Sequence, residues 1–191
     1  MTLPIVALPI HTERLLLRPL TEADAADVYE YQSLPEIVRY LPWPVRDRAE
    51  SREHTLKRAG FTHIQNDDDL LILAAELPGG GGVAGRVIGD MSVFLKSVEH
   101  RQVAIGWVFH PDFHGRGFAT EAARATLAFA FDEVGAHRVF AEVDPRNEAS
   151  VALCLRLGMR LEATFVESEF FKGEWSGLCV YAILRSEWAP E

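Results

Sequence analysis

The amino-acid sequence predicts an α+β fold in which a central mixed, mostly antiparallel sheet of about seven strands is flanked by about four helices. Apolar strand-like runs and segments of helical periodicity follow one another along the chain. Turn-rich segments join strand candidates near both ends, which is typical of antiparallel hairpins rather than of a doubly wound sheet. With 191 residues and no internal repeat or linker, the chain is expected to form one domain, 1–191.

The N-terminal part combines a strand, a capped helix and a proline-broken segment. Arg14–Leu20 is a leucine-rich strand candidate. Thr21 is placed to cap the next helix, which runs to about Gln32, because its side chain can accept a hydrogen bond from the first turn. Prolines between residues 34 and 45 then favour loop or short turns.

A second capped helix precedes a predicted hairpin and a C-terminal half of alternating elements. Asp47 and the glutamate three residues later form a capping-box pattern, so a charged helix is expected to about Ile64. Gly158 is placed to end a later helix in the left-handed conformation. The remaining predicted elements are strands over 70–77 and 83–95 joined by a glycine-rich turn over 78–82, strands over 102–109, 138–143, 159–171 and 178–184, and helices over 117–134 and 147–157.

Composition excludes several classes of function. A net charge of −9 argues against non-specific nucleic-acid binding, which needs clustered lysine and arginine. The first ten residues lack a basic start and a long apolar core, and no run is long enough to span a bilayer, so neither a signal peptide nor a membrane partner is expected. The two cysteines, Cys154 and Cys179, are then expected to be reduced in the cytoplasm. Without His-Glu-x-x-His or Cys-x-x-Cys spacing, no metal site is expected.

A glycine-rich turn between a strand and a helix is the strongest functional signal. Gly115 and Gly117 follow the apolar run 103–109 and precede the alanine-rich helix. The first backbone N–H groups of a helix lack internal acceptors and carry partial positive charge, so such a turn favours phosphate. The Walker A spacing is absent, and Thr120 stands where a dinucleotide fingerprint needs its third glycine. A plain tight turn remains the alternative, although the Arg116 guanidinium suits a pyrophosphate.

From Ile105 to Met159 the sequence resembles the GCN5-related N-acetyltransferases, and most closely the group that includes the ribosomal-protein N-terminal acetyltransferases. The resemblance covers nearly the whole chain, although the stretch 35–69 is poorly specified. It implies an acyl-CoA N-acyltransferase-like fold. The residues that carry it, in matching order and spacing, are Ile105-Gly106-Trp107, Pro111, Gly115-Arg116-Gly117-Phe118-Ala119-Thr120-Glu121-Ala122, Phe131, His137-Arg138-Val139, Asn147-Glu148-Ala149-Ser150 and Leu157-Gly158-Met159.

The resemblance implies acetyl-CoA as the cosubstrate and assigns residues to hold it. Its pantetheine arm would lie between splayed strands at 106–109 and 140–143, and its amides would pair with backbone groups of Trp107, Val108 and Phe109. The family usually has glutamine or arginine where this chain has His114, which either touches phosphate or sits in solvent. The pyrophosphate would lie on the turn formed by His114, Gly115, Arg116, Gly117, Phe118, Ala119 and Thr120.

Two residues at the start of the helix predicted over 147–157 have both structural and functional interpretations. Asn147 is a good N-cap by type and place, and by resemblance its side chain contacts the pantetheine. Ser150 is either a buried hydroxyl bonded to a carbonyl or, by resemblance, the group that protonates the leaving thiolate.

The usual general base of the family is missing from this chain, because Ala104 stands where many relatives carry a glutamate. By resemblance to the N-terminal acetyltransferases, Glu169 on the penultimate strand can serve, with Glu167 on the same face by alternation and near the acceptor. Both are otherwise exposed carboxylates, and a water chain is a further candidate base. Trp43 is expected either to plug the core or to wall the acceptor pocket.

The resemblance thus predicts an N-acetyltransferase that moves acetyl directly to an amine acceptor, for which a peptide or protein N-terminus is one candidate. An α-amine costs only about 1 kcal/mol to deprotonate at neutral pH, against roughly 4–5 kcal/mol for a lysine amine. The alternatives are a small-molecule acceptor of the aminoglycoside or polyamine type, or a CoA-binding regulatory module without turnover. Either a monomer or a homodimer fits the resemblance.

Overall fold

The computed structural model describes residues 4–80 and 85–189. An eight-stranded sheet has the order β2-β3-β5-β6-β7-β8-β10-β9, and β1 pairs separately with β4. The strands are β1 (Ile5–Val6), β2 (Ile10–His11), β3 (Leu16–Pro19), β4 (His63–Ile64), β5 (Asp69–Leu77), β6 (Arg86–Ser97), β7 (Gln102–Phe109), β8 (Arg138–Val143), β9 (Arg160–Phe171) and β10 (Glu174–Leu184). The helices are α1 (Ala25–Gln32), α2 (Pro35–Val38), α3 (Arg48–Ala59), α4 (Phe118–Asp132) and α5 (Glu148–Arg156).

The predicted fold class is confirmed. The neighbouring strands of the large sheet pair antiparallel except β7 and β8, which α4 connects and which run parallel. A parallel pair needs a crossover of this kind, since a hairpin can join only antiparallel strands. Part of the predicted glycine-rich turn and the start of the strand placed at 83–95 lie outside the described residues.

Both faces are covered in the middle of the sheet, and β5 shows how its sequence achieves this. Leu71 and Leu73 belong to the larger apolar core with residues of α4 and α5, whereas Ile72 and Ala74 belong to a second core with residues of α1. Because successive strand residues point to opposite faces, a strand that is covered on both sides must be apolar throughout. The middle of β5 is buried accordingly.

One predicted boundary is wrong, and a stretch predicted as loop or short turns contains a short helix. The charged helix α3 begins at its Asp47 capping box as predicted, but it ends before Gly60 rather than near Ile64. Ile64 instead pairs with Ile5 in the small sheet and is fully buried, so a long-range contact overrides the local pattern. The proline-broken stretch contains the single-turn helix α2, in which Pro35 takes a first-turn position that needs no N–H donor.

The structure over residues 4–80 and 85–189 contains no helix long and apolar enough to cross a membrane. Within the same residues, no group of three or more histidine, cysteine or acidic side chains is arranged to hold a metal ion.

Candidate active site

A cleft opens in the middle of the large sheet, between β7 and β8. The two strands pair over three residues, from Gln102 opposite Arg138 to Ala104 opposite Phe140. Beyond that point β7 continues to Phe109 and β8 to Val143 without further pairing between them. Their facing edges therefore carry backbone N–H and C=O groups that have no partner strand among the described residues, and such groups can bind an extended chain of amides.

The register of β7 decides which backbone groups face this cleft. The N–H of His110 donates to the carbonyl of Ile88 on β6, at 2.8 Å, and Val108 stands opposite Asp90 in the same alternation. Even-numbered residues therefore direct their backbone groups toward β6, and odd-numbered residues direct theirs toward the cleft. Trp107 and Phe109 therefore direct their backbone groups toward the cleft, whereas the N–H and C=O of Val108 face β6. Contacts of these three residues with the donor stay a prediction, and the register favours Trp107 and Phe109 over Val108.

The glycine turn lies at the carboxyl end of β7 and opens α4. Gly115 and Gly117 have φ values of +70° and +83°, in the left-handed region that favours glycine. Gly117 is the N-cap residue and provides no side-chain cap, so the N–H groups of Phe118, Ala119 and Thr120 remain oriented out of the helix end. A Cβ on Gly115 would meet no atom within 4 Å. The turn thus has the donors and the open space that a pyrophosphate requires.

A salt bridge from the N-terminal region fixes the turn, and it was not predicted from the sequence. Arg14 donates to the carboxylate of Glu121 through Nε at 2.7 Å and to the carbonyl of Arg116 through Nη1 at 2.9 Å. Thr12 also donates to Glu121, at 2.6 Å. Burial raises the pKa of Glu121, but the hydrogen bonds from Thr12 and Arg14 outweigh it and hold that pKa below its usual value. No local pattern links residues more than a hundred positions apart.

Two further side chains complete the surroundings of the turn. The His114 ring Nε2 lies 2.9 Å from the carbonyl of Phe109, so this ring tethers the turn to β7 through that nitrogen. The ring therefore does not simply project into solvent. Arg156, at the end of α5, lies with Nε 3.4 Å from the Thr120 hydroxyl and adds a cation beside the first turn of α4. No sequence motif pointed to Arg156.

The start of α5 borders the cleft from the other side. Asn147 caps the helix, since its Oδ1 accepts from the N–H of Ser150 at 3.2 Å. This is the structural interpretation of Asn147, and it leaves the side-chain NH₂ group available to a ligand. The Ser150 hydroxyl accepts from the indole Nε1 of Trp107 at 3.1 Å, rather than serving only its own helix. Because that oxygen is an acceptor here, its own proton remains free to be donated.

The hairpin of β9 and β10 carries the two predicted carboxylates. Both Glu167 and Glu169 are exposed. Glu169 stands opposite Ser176, but a bulge interrupts the pairing between Ser176 and Leu178, and Glu167 adopts a φ of +46° within it. Strict alternation therefore does not hold between the two glutamates, and the expectation that they share one face by alternation is wrong.

An ion-paired loop connects this hairpin to the end of β8. Asp144 accepts from Arg146 and from the hydroxyl of Ser176, at 2.6 and 2.7 Å. Burial raises the pKa of Asp144, but these hydrogen bonds outweigh it and lower the pKa to about 2. Arg146 also donates to Glu174, at 2.7 Å. These bonds hold Ser176, the strand partner of Glu169, against the loop that follows β8.

The segment that contains Trp43 contacts both the hairpin and the loop. Lys172, at the hairpin tip, donates to the carbonyl of Val38 and to that of Trp43. The Tyr40 hydroxyl donates to the carbonyl of Arg146 at 3.2 Å. Trp43 is half-buried against His54, with ring centroids 5.1 Å apart. Trp43 therefore lies between α3 and the β9–β10 hairpin, in the segment that also contacts the loop before α5.

Taken together, these elements form a cleft lined by backbone groups of β7 and β8, with an anion-favouring glycine turn at the end of β7, the start of α5 beside it and a hairpin that carries carboxylates. Residues 14–160 match the family model for an acetyltransferase (GNAT) domain. The chain belongs to the GCN5-related N-acetyltransferase (GNAT) family, as the sequence resemblance predicted. It is an acetyl-CoA-dependent N-acetyltransferase.

Individual relatives agree with this assignment. The N-acetyltransferase YnaD of Bacillus subtilis (strain 168), itself uncharacterised, is 33% identical over 184 residues, which cover 94% of this chain and 98% of YnaD. The crystal structure of a GNAT-family acetyltransferase from Bacillus anthracis superposes with a TM-score of 0.82 at 31% identity, covering 94% of this chain and all of that one. A spermidine N-acetyltransferase from Vibrio cholerae, crystallised with CoA and spermine, shares the fold, with a TM-score of 0.74, 21% identity, and coverage of 91% and 97%.

Proposed function

We propose that this protein transfers the acetyl group of acetyl-CoA directly to an α-amine, such as the N-terminus of a peptide. The observation that carries the proposal is the absence of a buried carboxylate from β7 at the position of Ala104, which packs in an apolar cluster with Phe140 and Ala182. The carboxylates on the hairpin, Glu167 and Glu169, are exposed. Such a site favours an amine that needs little help to lose its proton, and an α-amine costs about 1 kcal/mol to deprotonate at neutral pH.

The donor is proposed to occupy the cleft, with its pyrophosphate on the N–H groups from Gly115 to Thr120 and its arm along Trp107 and Phe109. In the transfer, the amine nitrogen forms a bond to the acetyl carbon as the carbon–sulfur bond breaks. The amine loses one proton, to Glu169 or through water, and the thiolate gains one through the Ser150 hydroxyl, which is reprotonated from water. Positioning of the two substrates in one complex provides most of the acceleration.

The test is the release of free thiol from acetyl-CoA with a panel of acceptors. Peptides with a free N-terminus, the same peptides carrying a lysine but a blocked N-terminus, an aminoglycoside and spermidine would be compared at one pH. We expect the free N-terminus to give the highest kcat/KM. Faster acetylation of spermidine or of the aminoglycoside would contradict the proposed acceptor. Tight CoA binding without thiol release from any acceptor would contradict acetyl transfer itself.

A further inference from the structure

Several side chains around the start of α3 and the end of α1 carry polar atoms that are buried without a partner in the part of the chain that the structure describes. We call Gln32, Trp43, Arg46, Ser51 and His54 the Arg46 cluster. Each has a buried nitrogen or oxygen atom with no hydrogen-bond partner among the described residues. Gln32 and Ser51 are each 1% exposed, whereas the other three are half-buried. Buried polar atoms without partners are rare in proteins, so several in one place indicate a site that binds a polar ligand.

The members of the Arg46 cluster lie close together. The Arg46 guanidinium lies 5.3 Å from the centre of the Trp43 ring, which in turn lies 5.1 Å from the His54 ring. Ser51 and His54 are three residues apart on α3 and therefore share a face of that helix. Gln32 ends α1, and its Nε2 lies 3.4 Å from Asp90, which Arg58 of α3 also bonds. The cluster thus has a buried floor and a half-exposed rim.

The charge balance of this region leaves Arg46 uncompensated. The fully buried Asp90 is bonded by Arg58 and by the Tyr31 hydroxyl, the latter at 2.7 Å, so Arg58 has its counter-charge. Arg46 has no carboxylate within ion-pair distance among the described residues. Glu50 acts on it only through space, and its carboxylate accepts from the N–H of Asp47 at 2.9 Å.

The unpartnered atoms of the Arg46 cluster suit an anion. Trp43 Nε1 and Arg46 Nη1 can only donate, and Ser51 and His54 can donate or accept. Gln32 Oε1, on the buried side of the cluster, can only accept, so the half-exposed members supply the donors. A guanidinium with nearby N–H donors binds a carboxylate through charge-assisted hydrogen bonds. A polyamine would instead place its positive charges against Arg46. Burial, together with the positive charges of Arg46 and Arg58, also lowers the pKa of His54 to about 4, as expected in a cationic setting.

We propose that the Arg46 cluster binds a carboxylate on the acceptor, so that this enzyme selects amines that carry a carboxylate near the amine. The inference rests on the proposed acetyl transfer to an α-amine and adds the chemical class of the acceptor. Lys172 donates to the carbonyl of Trp43, which connects the cluster to the hairpin that carries Glu169, the proposed base. The carboxylate has two sources, an acidic side chain at the second position of a peptide or the terminal carboxylate of a short one.

Matched acceptors test the proposal and separate the two sources. One pair is a tetrapeptide amide with aspartate or asparagine at the second position, and the other is alanyl-alanine or its amide. The wild type should show a lower KM for the carboxylate member of at least one pair. Arg46→Gln should raise that KM by roughly ten- to a hundredfold, the effect of losing a hydrogen-bonded charge, while the KM for the amide member and for acetyl-CoA stays unchanged.

Arg48→Gln is the matched control, because Arg48 is exposed at the start of the same helix and lies over the Tyr29 ring instead of the cluster. It should behave like the wild type. Equal KM values within both pairs, or an equal effect of Arg46→Gln on both members, would overturn the proposal. If no amine releases thiol, the proposed acetyl transfer fails. Carboxylate binding is then tested without turnover, by calorimetry of the same compounds with CoA-bound protein. Equal affinity for the members of each pair would overturn carboxylate binding.

Discussion

Replacing Gly117 with glutamate tests the glycine turn as the pyrophosphate site. The residue has a φ of +83°, which costs a residue with a Cβ about 1–2 kcal/mol. A Cβ there would also lie 3.3 Å from Nη2 of Arg14, the side chain that holds the Arg116 carbonyl. The free protein can relax by reshaping the turn, so CoA binding must restore the strained form. Gly117→Gln should therefore weaken CoA binding about tenfold.

The added charge provides the second part of the effect. Two unit charges 4 Å apart repel by about 1 kcal/mol in water and about 4 kcal/mol at an effective dielectric constant of 20. The turn is exposed, so the repulsion between the added carboxylate and the phosphates should be about 1–2 kcal/mol. Gly117→Glu should therefore bind CoA about tenfold more weakly than Gly117→Gln. This difference should shrink as salt screens the charges.

Isothermal titration calorimetry with CoA at low and high salt measures both effects. Gly173→Glu is the control, because Gly173 has a φ of +86° in the β9–β10 hairpin and a Cβ added to it would meet no atom within 4 Å. It should lose similar stability, a fall in Tm of about 2–8 °C, and still bind CoA like the wild type. Wild-type affinity in Gly117→Glu would refute the assignment of the turn.

Three further predictions concern catalysis and pH. Glu169→Gln should lower the acetylation rate most at low pH, where little free amine is present, and a wild-type pH–rate profile would exclude Glu169 as the base. Ser150→Ala should lower kcat at least tenfold with little change in the KM for acetyl-CoA, whereas Ser150→Thr, which keeps a hydroxyl, should retain activity; an unaffected kcat in Ser150→Ala would contradict the proton-donor role. Because the pKa of His54 falls from 6.5 to about 4 on folding, the unfolded chain binds more protons between these values, so stability should decrease as pH falls through this window. Since His54 is half-buried, we expect the free energy of unfolding, measured in urea, to fall by about 1–2 kcal/mol. The same pH dependence in His54→Gln would show that His54 is not its cause.

Local patterns in the sequence were sufficient for most elements of the fold. The Asp47 capping box starts α3 as predicted, and Gly158 has the expected left-handed conformation with a φ of +77°. These features depend on residues within one or two turns of each other. The small strands β1, β2 and β4 were missed because each has only two residues and depends on a partner elsewhere.

The candidate site was predictable where a motif carries its own geometry. The glycine turn and the Asn147 cap are of this kind. The contacts of Arg14 with the turn, and of Arg58 with Asp90, join segments far apart in the chain and left no local trace. The orientation of Val108 depended on the strand register, which apolar composition does not specify.

The splayed pair β7 and β8 gives this sheet two edges in its interior. Exposed sheet edges attract other chains, and proteins usually blunt them with charges, proline or covering elements. Here α5 begins beside the β7 edge, where the Trp107 indole donates to the Ser150 hydroxyl. An extended molecule that pairs with both edges acts as a ninth strand and restores continuity to the sheet. Slower hydrogen exchange at the amides of Trp107 and Phe109 would therefore report ligand binding as sheet completion.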